Sequence, residues 1–107
     1  MYGGSEGSYI YDDMFVYDVT LDSWEALELQ GEEPAGRTNH AMDVDPDGNL
    51  VVFGGFTTNG YDNSVFVFDT LNWKWSFPTP SGLAPTAREL TSLTVYKRLA
   101  LVFGGFK

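Results

Sequence analysis

The sequence predicts an all-β chain whose short strands belong to a repeat of about 50 residues. Three observations predict it. The apolar run Leu50-Val51-Val52-Phe53 stops at the pair Gly54-Gly55, and the same text returns as Ala100-Leu101-Val102-Phe103 before Gly104-Gly105. A clipped copy, Tyr2-Gly3-Gly4, opens the chain, so the glycine pairs are spaced by 51 and then 50 residues. No window longer than ten residues carries a helical apolar stripe, whereas several short runs are aromatic and β-branched.

Residues Ser5 to Asp13 hold glycine, serine, tyrosine and aspartate without periodicity and read as a loop. Met14-Phe15-Val16-Tyr17 is a strand by propensity, and Asp18 to Ser23 is a polar turn. Trp24 begins a second strand that runs to about Leu29. Gln30 to Gly36 is a Gly/Pro/Glu connection, and Thr38 to Asp45 alternates loosely as a strand. Pro46-Asp47-Gly48-Asn49 is a turn, because proline presets the first position and glycine accepts positive φ. Leu50 to Phe53 is the next strand.

Sliding the sequence by 51 lays Phe15-Val16-Tyr17-Asp18 on Phe66-Val67-Phe68-Asp69. The same shift aligns Trp24 with Trp75, Pro34 with Pro85 and Arg37 with Arg88. The register holds from Tyr2 to Asp45, and one residue is then lost in the turn before the last strand. A glycine pair ending a buried strand permits unusual φ and close approach of another backbone or ring. Trp24 and Trp75 sit where the next turn can cover that bare backbone. Arg37 and Arg88 fall at a strand start, where a fork of donors ties down loop carbonyls or a carboxylate. One unit cannot hide both sheet faces, so copies must stack.

Composition bounds the function. At 107 residues the chain is at most one small domain, and 43 % hydrophobic content is enough for a core. There is no cysteine, hence no disulfide, thiol nucleophile or thiolate metal site. Fifteen acidic against six basic residues give a net charge of −9. Such a chain repels nucleic acid and anionic membrane and suits a basic partner. No apolar run is long enough to span a membrane, and no leader pattern opens the chain, so the expected place is the cytoplasm.

An apolar strand ending in Gly-Gly, an aromatic-Asp strand end, and a Trp six residues later together resemble the kelch motif. The marks occur at Tyr2-Gly3-Gly4, Tyr17-Asp18 and Trp24, and again at Phe53-Gly54-Gly55, Phe68-Asp69 and Trp75. Pro34 to His40 resembles the segment that enters the next kelch blade, with Pro85 to Thr91 as its second copy. The resemblance covers nearly the whole chain and implies four-stranded antiparallel blades of a β-propeller. Labelled from the axis outward, the chain then supplies an outer pair (14–18, 24–29), one full blade (38–45, 50–54, 65–69, 74–77) and an inner pair (89–96, 99–104). The implied units are 1–36, 37–88 and 89–107. Family propellers hold more blades than this, so the expectation is a fragment of a longer protein. The other course is head-to-tail assembly, with one chain's outer pair completing its neighbour's inner pair.

Candidate chemistry is sparse. His40 is the only histidine, no local signature joins it to a nucleophile, and its second copy is Thr91, so it reads as packed at a blade entry. Asp43-Val44-Asp45-Pro46-Asp47-Gly48 imitates the start of a calcium loop, but position twelve is Gly54 where a glutamate is required, so no metal is expected. No cofactor is expected either. Trp73 has Asp22 as its counterpart, and is either a contact residue or a lid over the blade edge. Loops 5–13 and 56–62 join the second strand to the third. In the resembled family that kind of loop, with the start of the innermost strand, lines a partner-binding face. Here that face would comprise Asn39, His40, Phe56 and Tyr61, with Trp73 as a further contact residue. The leading expectation is a non-catalytic protein-interaction module. A copper site of the galactose-oxidase type lacks its cysteine and its histidines. The alternatives are part of a mutarotase-like or thiocyanate-forming-like enzyme with catalytic residues elsewhere, or a self-assembling scaffold.

Overall fold

Ten strands and no helix make up the computed structural model, which describes all 107 residues. In chain order they are β1 (Ser5–Glu6), β2 (Tyr9–Ile10), β3 (Phe15–Asp18), β4 (Ser23–Ala26) and β5 (Ala41–Val44). Then come β6 (Leu50–Thr57), β7 (Gly60–Asp69), β8 (Lys74–Ser76), β9 (Ser92–Tyr96) and β10 (Leu99–Phe103). Strands β5-β6-β7-β8 form one four-stranded sheet in sequence order. The pairs β3–β4, β9–β10 and β1–β2 are separate two-stranded sheets, and every pairing is antiparallel.

The repeat is visible in the registers. Tyr17 pairs with Trp24 in β3–β4 as Phe68 pairs with Trp75 in β7–β8. The aspartate that follows each aromatic has a local job. Asp18 Oδ1 accepts from the N–H groups of Thr20 and Leu21, and Asp69 Oδ1 accepts from those of Leu71 and Asn72. This carboxylate cap closes the turn, a role short acidic side chains fill well. Both turns then place a residue at positive φ, Asp22 at 52° and Trp73 at 54°.

Several strand limits differ from the sequence reading. The stretch 38–45 keeps only an isolated bridge from Thr38 to Phe56 before β5, because Asn39 turns left-handed at φ 56° and breaks the strand. Leu90, its repeat counterpart, does the same at φ 60°, so β9 starts at Ser92 rather than 89. The strand from Trp24 ends at Ala26, after which Leu27 and Leu29 fold toward the core. The largest correction concerns the two loops. Residues 5–13 contain the hairpin β1–β2, with Glu6 opposite Tyr9. Residues 56–62 are not a loop either, since Thr57 faces Gly60 and only Thr58 and Asn59 lie between. Thr57 Oγ1 donates to the Gly60 carbonyl and accepts from the Asn59 N–H, which fixes that tight turn.

The core lies where the β3 region meets the four-stranded sheet. Tyr2, Met14, Val52, Phe68 and Trp75 are buried together, with Leu27, Leu29, Leu50 and Phe66 against them. The Tyr2 and Trp75 ring centroids are 4.8 Å apart. Burial at this seam separates repeat-equivalent residues. Phe68 is 1 % exposed and Tyr17 41 %, and Trp75 is 7 % exposed and Trp24 62 %. The second members lack a neighbouring sheet on their outer side within this chain. The other flank shows the same shortage, where a groove of about 640 Å³ runs under the linker 78–85, walled by Phe53, Val65, Phe66, Phe77 and Val102.

The glycine pairs do not receive the tryptophans, as the sequence reading supposed. They receive backbone. The Gly4 N–H donates to the Arg37 carbonyl and the Gly55 N–H to the Arg88 carbonyl, each at 2.9 Å. A Cβ on Gly54 would lie 2.8 Å from the Arg88 carbonyl oxygen, and one on Gly55 would lie 2.8 Å from that of Thr38. Trp75 instead stacks on Tyr2 and Phe68 in the core.

A candidate partner-binding face

Antiparallel order puts the β6–β7 hairpin at one end of the four-stranded sheet and the β5–β6 and β7–β8 turns at the other. The linkers β4–β5 and β8–β9 and the β1–β2 hairpin share the first end. Arginine fastens it. The Arg37 guanidinium donates to the Gly54 carbonyl at 2.8 Å, to Asp62 at 2.7 Å and to the Ala35 carbonyl at 3.2 Å. It also lies 4.6 Å from the Phe66 ring centroid. Arg88 repeats the pattern half-exposed, donating to the carbonyls of Gly104 and Thr86 and to the Thr86 hydroxyl. Burial pushes the Asp62 carboxyl up. The hydrogen bonds from Arg37 and Ser64, with the Arg37 charge, outweigh it and hold the group below the usual carboxylate range.

Asn39 and His40 lie at the entry to β5. The Asn39 side-chain amide donates to Glu89 at 2.8 Å, and the Asn39 backbone carbonyl accepts from the Leu90 N–H at 2.9 Å, so two successive left-handed corners are linked head to tail. His40 is half-buried, with its ring 5.1 Å from that of Tyr2. Burial first, and the Arg37 charge second, lower its pKa to about 4. Its Nδ1 has no hydrogen-bond partner, so no carboxylate orients the ring as a general base requires. Thr91, in the equivalent place, likewise keeps a buried hydroxyl without a partner.

Phe56 and Tyr61 pair across the β6–β7 hairpin, rings edge to face with centroids 5.2 Å apart. The Thr38–Phe56 bridge brings that hairpin beside Asn39 and His40. Trp73 does not join them. It sits in the β7–β8 turn at the opposite end, with its ring 6.0 Å from that of Phe68. The acidic stretch that imitates a calcium loop has its carboxylates engaged. Asp45 Oδ1 accepts from the N–H groups of Asp47 and Asn49, Asp43 from those of Val44 and Val95, and Asp47 pairs with Arg98.

Sequence reasoning passed over Tyr9, Tyr11, Glu33 and Asn59 at this end. Tyr9 and Tyr11 meet edge to face with centroids 4.8 Å apart, and the Tyr11 hydroxyl donates to Glu6. A groove of about 360 Å³ opens between residues 33–35 and the β6–β7 hairpin, lined by Glu33, Arg37, Asn59, Tyr61, Phe66 and Phe77 among others. The repeat register lays 9–11 on 60–62 and so marks the segment, but Tyr61 falls on Ile10 and neither tyrosine has an aromatic counterpart. Nothing in the repeat marks Glu33, whose counterpart is Ala84.

A family model described as the KLHDC2/KLHL20/DRC7 Kelch-repeats domain matches residues 1–107. The chain is similar to dynein regulatory complex subunit 7 of Chlamydomonas reinhardtii, 35 % identical over 96 residues covering 88 % of the chain and 8 % of that protein. It is 32 % identical over 108 residues to host cell factor 2 of Homo sapiens, covering 96 % of the chain and 13 % of that protein. It is 30 % identical over 101 residues to kelch domain-containing protein 1 of Mus musculus, covering 89 % and 24 %. The chain thus spans less than a quarter of the length of the curated relatives it matches.

Proposed function

Because the chain belongs to the kelch-repeat family, we propose that it is a non-catalytic protein-interaction module that meets its partner with the linker-and-hairpin end of its blades. The units are 1–36, 37–88 and 89–107, and the contact residues are Asn39, His40, Phe56 and Tyr61. The cytoplasm remains the expected place, and no helix here is long and apolar enough to cross a membrane. One observation carries the reading: at this end a rigid, arginine-fastened backbone holds an edge-to-face aromatic pair beside exposed polar groups. Aromatic rings supply contact area at little conformational cost, and a fixed scaffold spares the ordering entropy of binding. One relative, dynein regulatory complex subunit 7, is by name a subunit of a complex.

An enzymatic role gains little from the site. His40 has neither an orienting carboxylate nor a nucleophile among its contacts. Assembly into a ring of copies meets an obstacle at β3. Met1 exchanges backbone hydrogen bonds with Phe15, and Tyr2 bridges Met14. By repeat equivalence these two residues hold the places that Val102 and Phe103 of a neighbour would take.

The test is photo-crosslinking from single positions in cells that express the chain. The benzophenone residue replaces Tyr61 in one version and Leu71, in the opposite turn, in another. A partner that crosslinks from 61 and not from 71, and whose retention is lost in Tyr61→Ala, supports the assignment. Equal crosslinking from both ends overturns it.

A further inference from the structure

We propose that the groove between residues 33–35 and the β6–β7 hairpin is a socket for an arginine or lysine side chain of a basic protein partner. This rests on the reading of the linker end as the partner face. The groove holds about 360 Å³ and is walled by the rings of Tyr61, Phe66 and Phe77. Its own cation is neutralised in place, since Arg37 donates to Asp62 at 2.7 Å. What remains is Glu33, exposed and with neither a hydrogen-bond nor an ion-pair partner within the chain. Aromatic walls suit the stem and the charged head of arginine or lysine, and a free carboxylate suits the head.

The charge layout of the two ends points to the same occupant. At the turn end the carboxylates are committed: Asp18, Asp45 and Asp69 cap turns, and Asp47 binds Arg98. Three of the six basic residues also lie at that end, Lys74 at the start of β8 and Lys97 and Arg98 in the β9–β10 turn. At the linker end Asp12, Asp13, Glu32 and Glu33 are exposed and unpartnered. Arg37 and Arg88 are tied to backbone carbonyls there, which leaves Lys107 as the remaining base. The complementary cation must come from the partner. Each exposed pair contributes about 1 kcal/mol or less in water, so the layout favours steering and discrimination over raw affinity.

Fluorescence anisotropy of a labelled peptide, acetyl-Gly-Arg-Gly-Arg-Gly-amide, against the 107-residue chain reads the proposal directly. The expected result is salt-sensitive binding that weakens about 3- to 5-fold in Glu33→Gln and in Tyr61→Ala. In Glu25→Gln, exposed on β4, it should change less than about twofold. Circular dichroism confirms that each variant keeps its β signal. Absence of binding, equal loss in Glu25→Gln, or equal binding of the glutamate version of the peptide overturns the socket. A protein partner that loses affinity on Phe56→Ala but not on Glu33→Gln leaves the partner face standing and removes the socket alone.

Discussion

Arg37 and Asp62 meet at 2.7 Å with the arginine side chain only 2 % exposed and the aspartate 23 %. The pair joins the linker that enters the four-stranded sheet to the start of β7, where that sheet turns. Removing one member strands the other, and an uncompensated buried charge costs about 3–5 kcal/mol. Asp62→Asn should therefore lower stability by about 3 kcal/mol, and Arg37→Ala by at least as much, in urea unfolding followed by tryptophan fluorescence. Arg88→Ala removes a half-exposed copy without an acidic partner and should cost about 1 kcal/mol. Equal losses at 37 and 88 would contradict the buried-pair account.

His40 sets an acid limit on stability. Its ordinary pKa of 6.5 falls to about 4 in the folded chain, chiefly through burial. Below 6.5 the unfolded chain takes up a proton that the folded chain refuses, so stability declines as pH falls from about 6.5 to about 4. The ring is partly open to water, so the loss is about 2 kcal/mol rather than the full value of the shift. His40→Phe keeps a ring against Tyr2 and should flatten the curve over that interval. Asp62 adds its own loss only below the ordinary carboxylate pKa of 3.8.

The two glycines inside β6, where its register shifts between Phe53 and Gly55, differ from those in open turns. Gly55 sits at φ 101° with its missing Cβ 2.8 Å from the Thr38 carbonyl oxygen. Gly82 has φ 85° and open space around it. Gly82→Ala should cost about 1 kcal/mol for the backbone alone, and Gly55→Ala clearly more, because the Thr38 and His40 backbone must also move. Thermal denaturation of the two variants side by side decides the matter.

Repeat position does not equal energetic weight. Trp75→Ala should cost about 3–5 kcal/mol, since it empties the centre of the core. Trp24→Ala should cost less than about 1 kcal/mol, as the ring lies largely in water against Tyr17. Emission from a chain retaining only Trp24 should be red-shifted relative to one retaining only Trp75.

The period, the antiparallel strands and the Tyr17/Trp24 and Phe68/Trp75 marks were legible because repetition averages out local ambiguity. Strand limits were not. Asn39 and Leu90 take the same left-handed corner with unrelated side chains, so the break lies in a hydrogen-bonded backbone path and not in residue type. The loop readings of 5–13 and 56–62 failed for a related reason. Their glycines, serines, threonines and asparagine suggest a wandering segment, yet each run closes a two-residue hairpin between pairing backbones. The nearness of Asn39, His40, Phe56 and Tyr61 to one another was legible, because strand alternation and the repeat put the β6–β7 turn beside the entry to β5. Trp73, read separately as a contact residue or a lid, emerges at the opposite end, since composition marks a ring without saying at which end of a strand it lies.

The joints between successive sheets are made mostly by main chain: Gly4 to Arg37, Gly55 to Arg88 and Leu90 to Asn39 all link N–H to carbonyl. Such joints place no demand on the side chains that project from the face. The frame is therefore held largely by atoms that every residue carries, apart from the side chains exposed on that end. Tyr9, Glu33, Asn59 and their neighbours can therefore be exchanged while the frame keeps its shape, so this end tolerates substitution that the glycine pairs and Arg37 do not.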